Sequence, residues 1–544
     1  MNHATLLARE SFIEKRARER IRSLLDPGTF RELLGPFDRM ESPWLPMQRI
    51  VPQSDDGAVI ARGALGGRPV MVAAIESAFQ GGSIGEVSGS KLACALELVL
   101  AECQKGNVIY PLLLLETGGV RLQEANLGLA VIAEIHSAIA ALVHRVPVVG
   151  VIAGMVGCFG GMSVAAGLCS HLIVTRQARL GMNGPEVIEQ EAGVDELDAS
   201  DPRLVWSVFG GAPRCRDDLA DALVPDDTGA VREAIESAWA TGLPATRRSA
   251  QLERLPLPSP APVTSSGAAA GAVSRGGEWL AALTGGKEPE HRYSAAVRSA
   301  DAPLGGEMAR FIAVVPDREN RFPRARDGEV GLEQAWALAR EVCSVTRADR
   351  DGKKRPIVAI VDVKSQAYGR DEESRGIHLA CAAAVDAYAN ARMSGHPVIA
   401  LIVGRAMSGA FLAHGYQANR ILALDAPDVL VHAMSKEAAA RVTRRSVREL
   451  EALGDAILPM SYSIRAFAQL GILHARIEGV NANAPSDSDV LRVADAIADA
   501  VADARRGPRD LSSRLTSAAA RETRKASLEV RRRLALEWPP PREP

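Results

Sequence analysis

The residues best placed to do chemistry in this chain are glycines. An apolar run with strand character, Val146 to Ala153, enters the turn Gly154-Met-Val-Gly157-Cys-Phe-Gly160-Gly161. A small-residue helical run follows and leads to a second apolar run, Leu172 to Val174. Glycine has no Cβ, so such a turn lets the backbone bend sharply or approach a ligand closely. The helix behind it leaves its first N–H groups unpaired and pointing at the turn. Strand, glycine turn and helix start together form a backbone site for an anion or a developing oxyanion.

The stretch has an echo. Pro397 to Leu424 repeats the order of proline, apolar run, glycine, small-residue turn, helix and apolar run. In this alignment Pro147 corresponds to Pro397, Gly154 to Gly404 and Gly160 to Gly409. The chain therefore reads as two copies of one domain, and its 544 residues suit two domains of about 250 residues each.

A second kind of turn precedes each of these. The strand-like Tyr110 to Leu115 empties into Glu116-Thr-Gly118-Gly119-Val-Arg121-Leu-Gln-Glu124. In the second half, Ile357 to Val363 enters Lys364-Ser365-Gln-Ala-Tyr368-Gly369. Ligands in α/β folds sit at the carboxyl ends of such strands. Helical periods over 91–104, 125–143 and 377–393 alternate with the strands, which implies parallel sheets covered by helices. The segment 59–79 reads as a hairpin turning at Gly66-Gly67. Residues 10–25 read as a solvated basic amphipathic helix and 486–506 as another helix. A stretch rich in Pro, Ser, Ala and Gly, from Leu255 to about Gly277, reads as a linker. The arginine-rich tail from Arg509 to Arg533 reads as a solvated helix face, and Trp538-Pro-Pro-Pro as a frayed end.

Three other motifs invite chemistry and carry less weight. Gly81 to Gly85 fits the G-x-S-x-G nucleophile elbow, with Ser83 as the nucleophile, but three fixed positions are easily matched by chance. Gly85 to Lys91 ends in Gly-Ser-Lys where a phosphate loop requires G-K-[ST]. Cys158 has no histidine or aspartate signal beside it and reads as a buried small residue.

The formal net charge is −2, with 47% hydrophobic and 24% charged residues, so nothing global argues for nucleic acid. Seven cysteines without a C-x-x-C pair suit a reducing cytosol rather than a disulfide framework or zinc ribbon. The charged N-terminus does not read as a signal peptide. No apolar run is expected to reach membrane-spanning length.

At the paired glycine turns the chain resembles the crotonase-fold carboxyltransferases. The run Phe79 to Lys91, the turn Glu116 to Glu124 and the segment Asn183-Gly-Pro185-Glu-Val-Ile-Glu-Gln190 are similar to motifs of one half of that family. Val361-Asp-Val-Lys-Ser-Gln-Ala-Tyr-Gly369 and Glu373-Ser-Arg375-Gly376 resemble the other half. Within the family the resemblance is to biotin-independent malonate decarboxylase, with beta-like and gamma-like parts fused. No cysteine zinc ribbon precedes the first domain, no A-M-K-M biotinylation sequence occurs, and the glycine turn opens with Glu116-Thr117 and carries Val120.

The resemblance implies an α/β fold of two crotonase-like domains built from ββα spiral repeats. They are expected at 1–262 and 278–544, with a linker at 263–277. It implies decarboxylation of a malonyl thioester on an acyl carrier protein, through an enolate held in backbone oxyanion holes. One hole would use N–H groups near Gly118, Gly119, Gly160 and Gly161. The other would use the Ser365 to Gly369 turn with Ser408, Gly409 and Ala410. The first would hold the thioester oxygen, and the second would hold or eject the carboxylate. No biotin, metal or other cofactor is expected on this chain, because the thioester carbonyl is itself the electron sink. The substrate would arrive on the carrier's CoA-like prosthetic group. Expected partners are that carrier, a malonate/acetyl transferase subunit and a second copy of the chain, in the cytoplasm, without nucleic acid or membrane.

Tyr368 and His378 are candidate proton donors by position only, with water an equal alternative and a satisfied structural hydrogen bond the favoured reading of each. Gly161→Val is expected to abolish decarboxylation and leave the melting temperature nearly unchanged. Three rival readings remain open at this level: a biotin-dependent carboxyltransferase component, a non-catalytic carrier-docking subunit and a Ser83 hydrolase.

Overall fold

The structure is a computed structural model, and it describes residues 9–252 and 274–539. Each half is built on a parallel-rich sheet that opens with an antiparallel hairpin. In the first half β2 (Ala58–Leu65) and β3 (Arg68–Ile75) form the hairpin, with β1 (Arg31–Leu33) on its edge. From β3 the sheet continues in parallel through β4 (Tyr110–Leu114), β5 (Val149–Ile152), β6 (His171–Thr175) and β7 (Ala222–Val224). In the second half β8 (Val297–Leu304) and β9 (Glu307–Val314) repeat the hairpin. The parallel strands β10 (Ile357–Val363), β11 (Val398–Met407), β12 (Arg420–Leu424) and β14 (Ala475–Ile477) follow, with β13 (Leu430–His432) paired to the end of β11.

The two hairpins share one turn chemistry. Gly66 and Gly67 have φ of 58° and 74°, and Gly305 and Gly306 have φ of 55° and 83°. Positive φ at both central residues is what a tight turn matched to strand twist requires. Short extended segments pair outside the main sheets: Ile84 with Val120, Thr117 with Cys158, Cys158 with Leu180, and Val330 with Gln366. Strand, short offset strand and helix thus form the ββα repeat of a crotonase-like spiral.

One face of the first sheet is covered by helices Ala17–Leu24 and Thr228–Thr241, which bury Ile21, Leu24, Ile235 and Trp239. The first of these is shorter than the period over 10–25 implies. Asp226 takes the N–H groups of Phe12 (2.8 Å) and Ile13 (2.9 Å), which holds that stretch out of the helix. The other face carries helices Glu86–Gln104, Ala125–Leu142 and Gly161–Leu168. These pack against the second half, and one apolar core runs through both halves from Ile132 and Met162 to Leu379 and Leu412. Small residues allow this approach: a Cβ on Gly167 would lie 2.8 Å from Ala382 Cβ of helix Ile377–Met393.

That burial explains one departure from expectation. Leu122–Leu142 has the length of a membrane span and holds an 18-residue window of mean hydropathy 1.6, yet 94% of that window is buried inside the protein. A helix apolar on all sides needs an apolar neighbour on all sides, and here the second half supplies it.

The tail also differs from the reading as a solvated face. Helix Lys525–Glu537 folds back onto helix Glu86–Gln104 of the first half. Arg524 and Arg531 both pair with the buried Glu134 at 2.9 Å. Ser527 donates through its N–H and its hydroxyl to Glu86 Oε1, each at 2.9 Å. Trp538 is buried rather than frayed, with the Arg62 guanidinium 4.7 Å from its ring centroid. The expected linker at 263–277 lies outside the described residues as far as 273, and helix Arg275–Leu283 starts within its last residues.

Removing one partner of a buried ion pair strands a charge in the core, at a cost of about 3–5 kcal/mol. Arg524→Ala leaves Glu134 with Arg531 alone, so it should lower the unfolding free energy by no more than about that much in a denaturant titration. Both halves should still unfold in one transition, since the shared apolar core continues to join them.

Candidate functional site

The glycine turns of the first half meet backbone to backbone. A Cβ on Gly119 would lie 3.1 Å from Phe159 O and 3.3 Å from Gly160 Cα. A Cβ on Gly160 would lie 3.3 Å from Gly119 Cα and 3.9 Å from Val120 N. Gly119 has φ of 104° and Gly160 of 60°, so the approach needs glycine for both space and conformation. Their own N–H groups are occupied. Gly118 donates to Gly81 O (2.9 Å), Gly119 to Thr117 Oγ1 (3.0 Å) and Gly160 to Met182 O (3.0 Å).

Two neighbouring donors are not engaged in this way. The Ile84 pairing uses the carbonyl of Gly119 and the N–H of Arg121, which turns the N–H of Val120 to the opposite side. Gly161 is the first residue of its helix, where N–H groups have no intrahelical acceptor. Among the described residues no protein acceptor takes either N–H. Of the four glycines read from sequence, Gly161 alone offers a donor; the other donor is Val120, which that reading passed over.

Gly161 also carries packing. A Cβ there would lie 2.8 Å from both Ile132 Cγ2 and Leu412 Cδ1, the latter in the second half. Gly161→Val would therefore disturb the junction of the halves, and the expectation of an unchanged melting temperature does not hold.

The second half repeats the frame with a shifted register. Ser408, at φ of 58°, takes the backbone position of Gly160, so the echo aligns Gly160 with Ser408 and Gly161 with Gly409. Asp362 and Glu116 play equivalent parts at the strand ends. Glu116 accepts the N–H groups of Gly154 (2.9 Å) and Gly157 (3.1 Å), and Asp362 accepts that of Arg405 (3.1 Å). The donors themselves differ. The N–H of Gly409 bonds to the side chain of Gln366, at 3.1 Å from Oε1.

The remaining residues read from sequence scatter around this point. Ser365 gives its carbonyl to Val330 N–H (3.0 Å), and with Tyr368 it lines a polar cleft of about 520 Å³ that also includes Lys364, Arg405 and Lys436. Burial raises the Tyr368 hydroxyl well above the ordinary tyrosine range, which keeps it protonated. Gly369 precedes the short helix Arg370–Ser374, and Ala410 lies inside the helix Ser408–Ala413. His378 is buried at the start of helix Ile377–Met393, where its carbonyl faces Gly167, and it does not line the cleft.

Ser83 Oγ accepts from Arg121 Nε at 3.4 Å, where a nucleophile elbow needs a base. Lys91 is buried and donates to the carbonyls of Leu34 (2.9 Å), Asp55 (3.3 Å) and Ala58, and desolvation brings it down to about 8. Burial pushes the Cys158 thiol far up, so it does not act as a thiolate.

Residues not singled out from sequence join the two centres. Glu373 of the second half accepts the N–H groups of Met182 (3.0 Å) and Asn183 (2.6 Å), and Asn183 Nδ2 (2.9 Å). Asn183 Nδ2 also donates to Ala367 O (2.8 Å), and Gln366 Nε2 donates to Asn183 Oδ1 (2.7 Å). Met182 spans the gap: its carbonyl holds Gly160, and its methyl group occupies the place of a Cβ on Gly409. Their sequence signal was only membership of quoted motifs, because a hydrogen bond between distant segments leaves no spacing to read.

Three acids behind the turns are shifted upward, with burial the largest cause in each. Glu124 reaches about 7, with repulsion from Asp56 outweighing the pull of Arg121. Glu373 reaches about 7 against the pull of Arg214, and Glu372 about 8. Glu372 Oε1 accepts Leu332 N–H (2.9 Å), and Oε2 is buried without a partner among the described residues. A carboxyl whose folded value lies above its unfolded one stabilises most below the unfolded value, and that contribution is lost as pH rises through the folded value. For Glu372 the window runs from about 4.5 to about 8. Glu372→Gln keeps the Oε1 acceptor and cannot ionise. It should match the parent protein in melting temperature near pH 5 and exceed it by several degrees near pH 9, read by calorimetry at both values.

Comparison with known proteins gives this geometry a family. Residues 14–262 match the carboxyl transferase domain, and residues 325–538 match the malonate decarboxylase gamma subunit. The malonyl-S-ACP:biotin-protein carboxyltransferase MADC of Malonomonas rubra is 44% identical over 220 residues, 38% of this chain and 68% of that protein. MADD of the same organism, with the same activity in its name, is 35% identical over 185 residues, 33% of this chain and 63% of that protein. The chain thus spans about two thirds of each curated relative. A chain of the Pseudomonas malonate decarboxylase hetero-tetramer, solved in complex with malonate, is 60% identical over 46% of this chain and 91% of that one, with a TM-score of 0.45. The chain therefore belongs to the crotonase-fold carboxyltransferase family in its malonate decarboxylase branch, with a beta-type carboxyl transferase half and a gamma-type half in one polypeptide.

Proposed function

We propose that the chain decarboxylates a malonyl thioester carried on an acyl carrier protein, giving the acetyl thioester and CO2. The observation that carries the reading is that two backbone donors without an acceptor among the described residues, Val120 N–H and Gly161 N–H, adjoin the contact of Gly119 and Gly160. Breaking the bond between the carboxylate and the α-carbon sends an electron pair into the thioester carbonyl. The enolate oxygen gains the charge, and two fixed N–H groups stabilise it without reorganising. The α-carbon then takes a proton, from water or from Tyr368, which stays protonated in its cleft. The chemistry calls for no metal, because the thioester is the electron sink.

The second half's cleft, where Arg405 and Lys436 stand among Glu191, Glu329 and Glu437, is the proposed exit for the departing carboxylate. The carrier protein, a transferase subunit that loads it, a second copy of the chain and a cytoplasmic role in malonate breakdown complete the proposal. One rival stays in play because the names of both Malonomonas relatives include a biotin-protein acceptor. In that reading the carboxyl passes to biotin instead of leaving as CO2.

The pure chain, given malonyl-carrier without biotin, should release CO2; malonyl-carrier consumed only when biotin is added, with carboxybiotin as the product, would establish the rival. Gly119→Ala forces a Cβ against the Phe159 carbonyl at a φ that L-residues avoid, and so displaces both donors. It should lower kcat by about 10²–10³-fold, the usual worth of an oxyanion donor, with little change in KM for the carrier. An unchanged kcat would remove the oxyanion assignment.

A further inference from the structure

The two halves repeat one frame, but among the described residues only one of its helix-start donors is open. In the first half the residue that follows the strand-end turn is Val120, whose side chain cannot accept a hydrogen bond. In the second half the equivalent residue is Gln366. Each is the partner in the short pairing outside its sheet, Val120 with Ile84 and Gln366 with Val330. Gln366 Oε1 accepts the N–H of Gly409 at 3.1 Å, and Nε2 donates to Asn183 Oδ1 at 2.7 Å. The side chain is buried, at 6% exposure, and Asn183 is itself tied to Glu373 and to Ala367 O. The amide is thus held from both ends and stands where an anionic oxygen would bind Gly409.

We propose that Gln366 is a specificity-determining residue: it plugs the second backbone hole, so that no carboxyl acceptor is activated there and the carboxyl group leaves as CO2. The proposal rests on the decarboxylase reading above and extends it.

Transfer to a ureido acceptor would need that hole. In transfer, the ureido nitrogen gives up its proton, negative charge builds on the ureido oxygen, and the nitrogen forms a bond to the carboxyl carbon. The malonyl carbon–carbon bond breaks, and the enolate carbon takes a proton, leaving the acetyl thioester and an N-carboxylated acceptor. The developing oxygen charge needs a preorganised donor. In this chain the neutral Gln366 carbonyl already holds that donor. A ureido oxygen would have to displace it and leave the Gln366 amide, buried beside Asn183, without one of its bonds, which is costly.

The test compares the full chain with Gln366→Ala, using malonyl-carrier with free biotin as the acceptor probe. Free CO2 and carboxybiotin are measured together. Gln366→Met, of similar volume and without a strong acceptor, serves if the alanine variant does not fold. Hydrogen exchange of the Gly409 amide is followed by mass spectrometry as a readout independent of turnover.

The parent chain should release CO2 and form no carboxybiotin. The variant should form carboxybiotin at least about tenfold above the background measured with the parent, within the range of one oxyanion donor, and its Gly409 amide should exchange at least about tenfold faster. Carboxybiotin formed equally by parent and variant would overturn the proposal. So would CO2 release by the variant without carboxybiotin, or unchanged exchange at Gly409. If the parent releases no CO2 from malonyl-carrier, the decarboxylase reading fails by itself, and the exchange rates still decide whether Gln366 occupies the donor.

Discussion

The structure depends on one buried carboxylate that reaches from one half of the chain into the other. Glu373 binds two successive backbone N–H groups of the turn 181–184 and the Asn183 amide. The turn so held presents the Met182 carbonyl to Gly160, which sets the backbone contact beside Val120 and Gly161. It also presents Asn183 to Gln366, which sets the state of Gly409. Both centres therefore hang on one link between halves. Arg214 braces it, giving Nη1 to the Glu373 carbonyl at 2.7 Å. A buried acceptor held by several donors is costly to remove, because the donors are left without partners.

Around this link the halves are joined as tightly as one domain. The helices of the first sheet bury their outward face against those of the second, and the C-terminal helix returns to lie on the first half. Polar ties run through the junction, including Asn126 to Ser461 O (2.8 Å) and Gln417 to Ala133 O (3.0 Å). Such a junction fixes the two glycine frames against each other, as the proposed electrostatic site needs, because such donors stabilise charge only when already in place. Duplication supplies two similar frames, and one substituted side chain, valine against glutamine, makes them unequal.

Much of the architecture was legible in the chain. The strand and turn order, the Gly66-Gly67 hairpin and the helices over 125–142 and 377–393 follow from periodicity and glycine placement, which are local. The echo between Pro147–Thr175 and Pro397–Leu424 exposed the duplication. Its finer register was not legible. Glycine was matched to glycine, while the backbone places Ser408 at the positive φ of Gly160. The arginine-rich tail was misread because its partners, Glu86 and Glu134, lie about 390 to 440 residues away. A charge pattern alone cannot tell a solvated helix from one neutralised by distant acids.

The sequence by itself determined where backbone donors could gather: glycine turns at strand ends, each before a helix start, in two copies. It did so because conformational freedom and absence of a Cβ belong to the residue type. Only the tertiary structure decided which N–H groups are engaged. Gly118, Gly119 and Gly160 donate to neighbours, Val120 and Gly161 have no acceptor among the described residues, and Gly409 is held by Gln366. That outcome depends on hydrogen-bond direction across segments tens to hundreds of residues apart, a geometric property that no local spacing encodes.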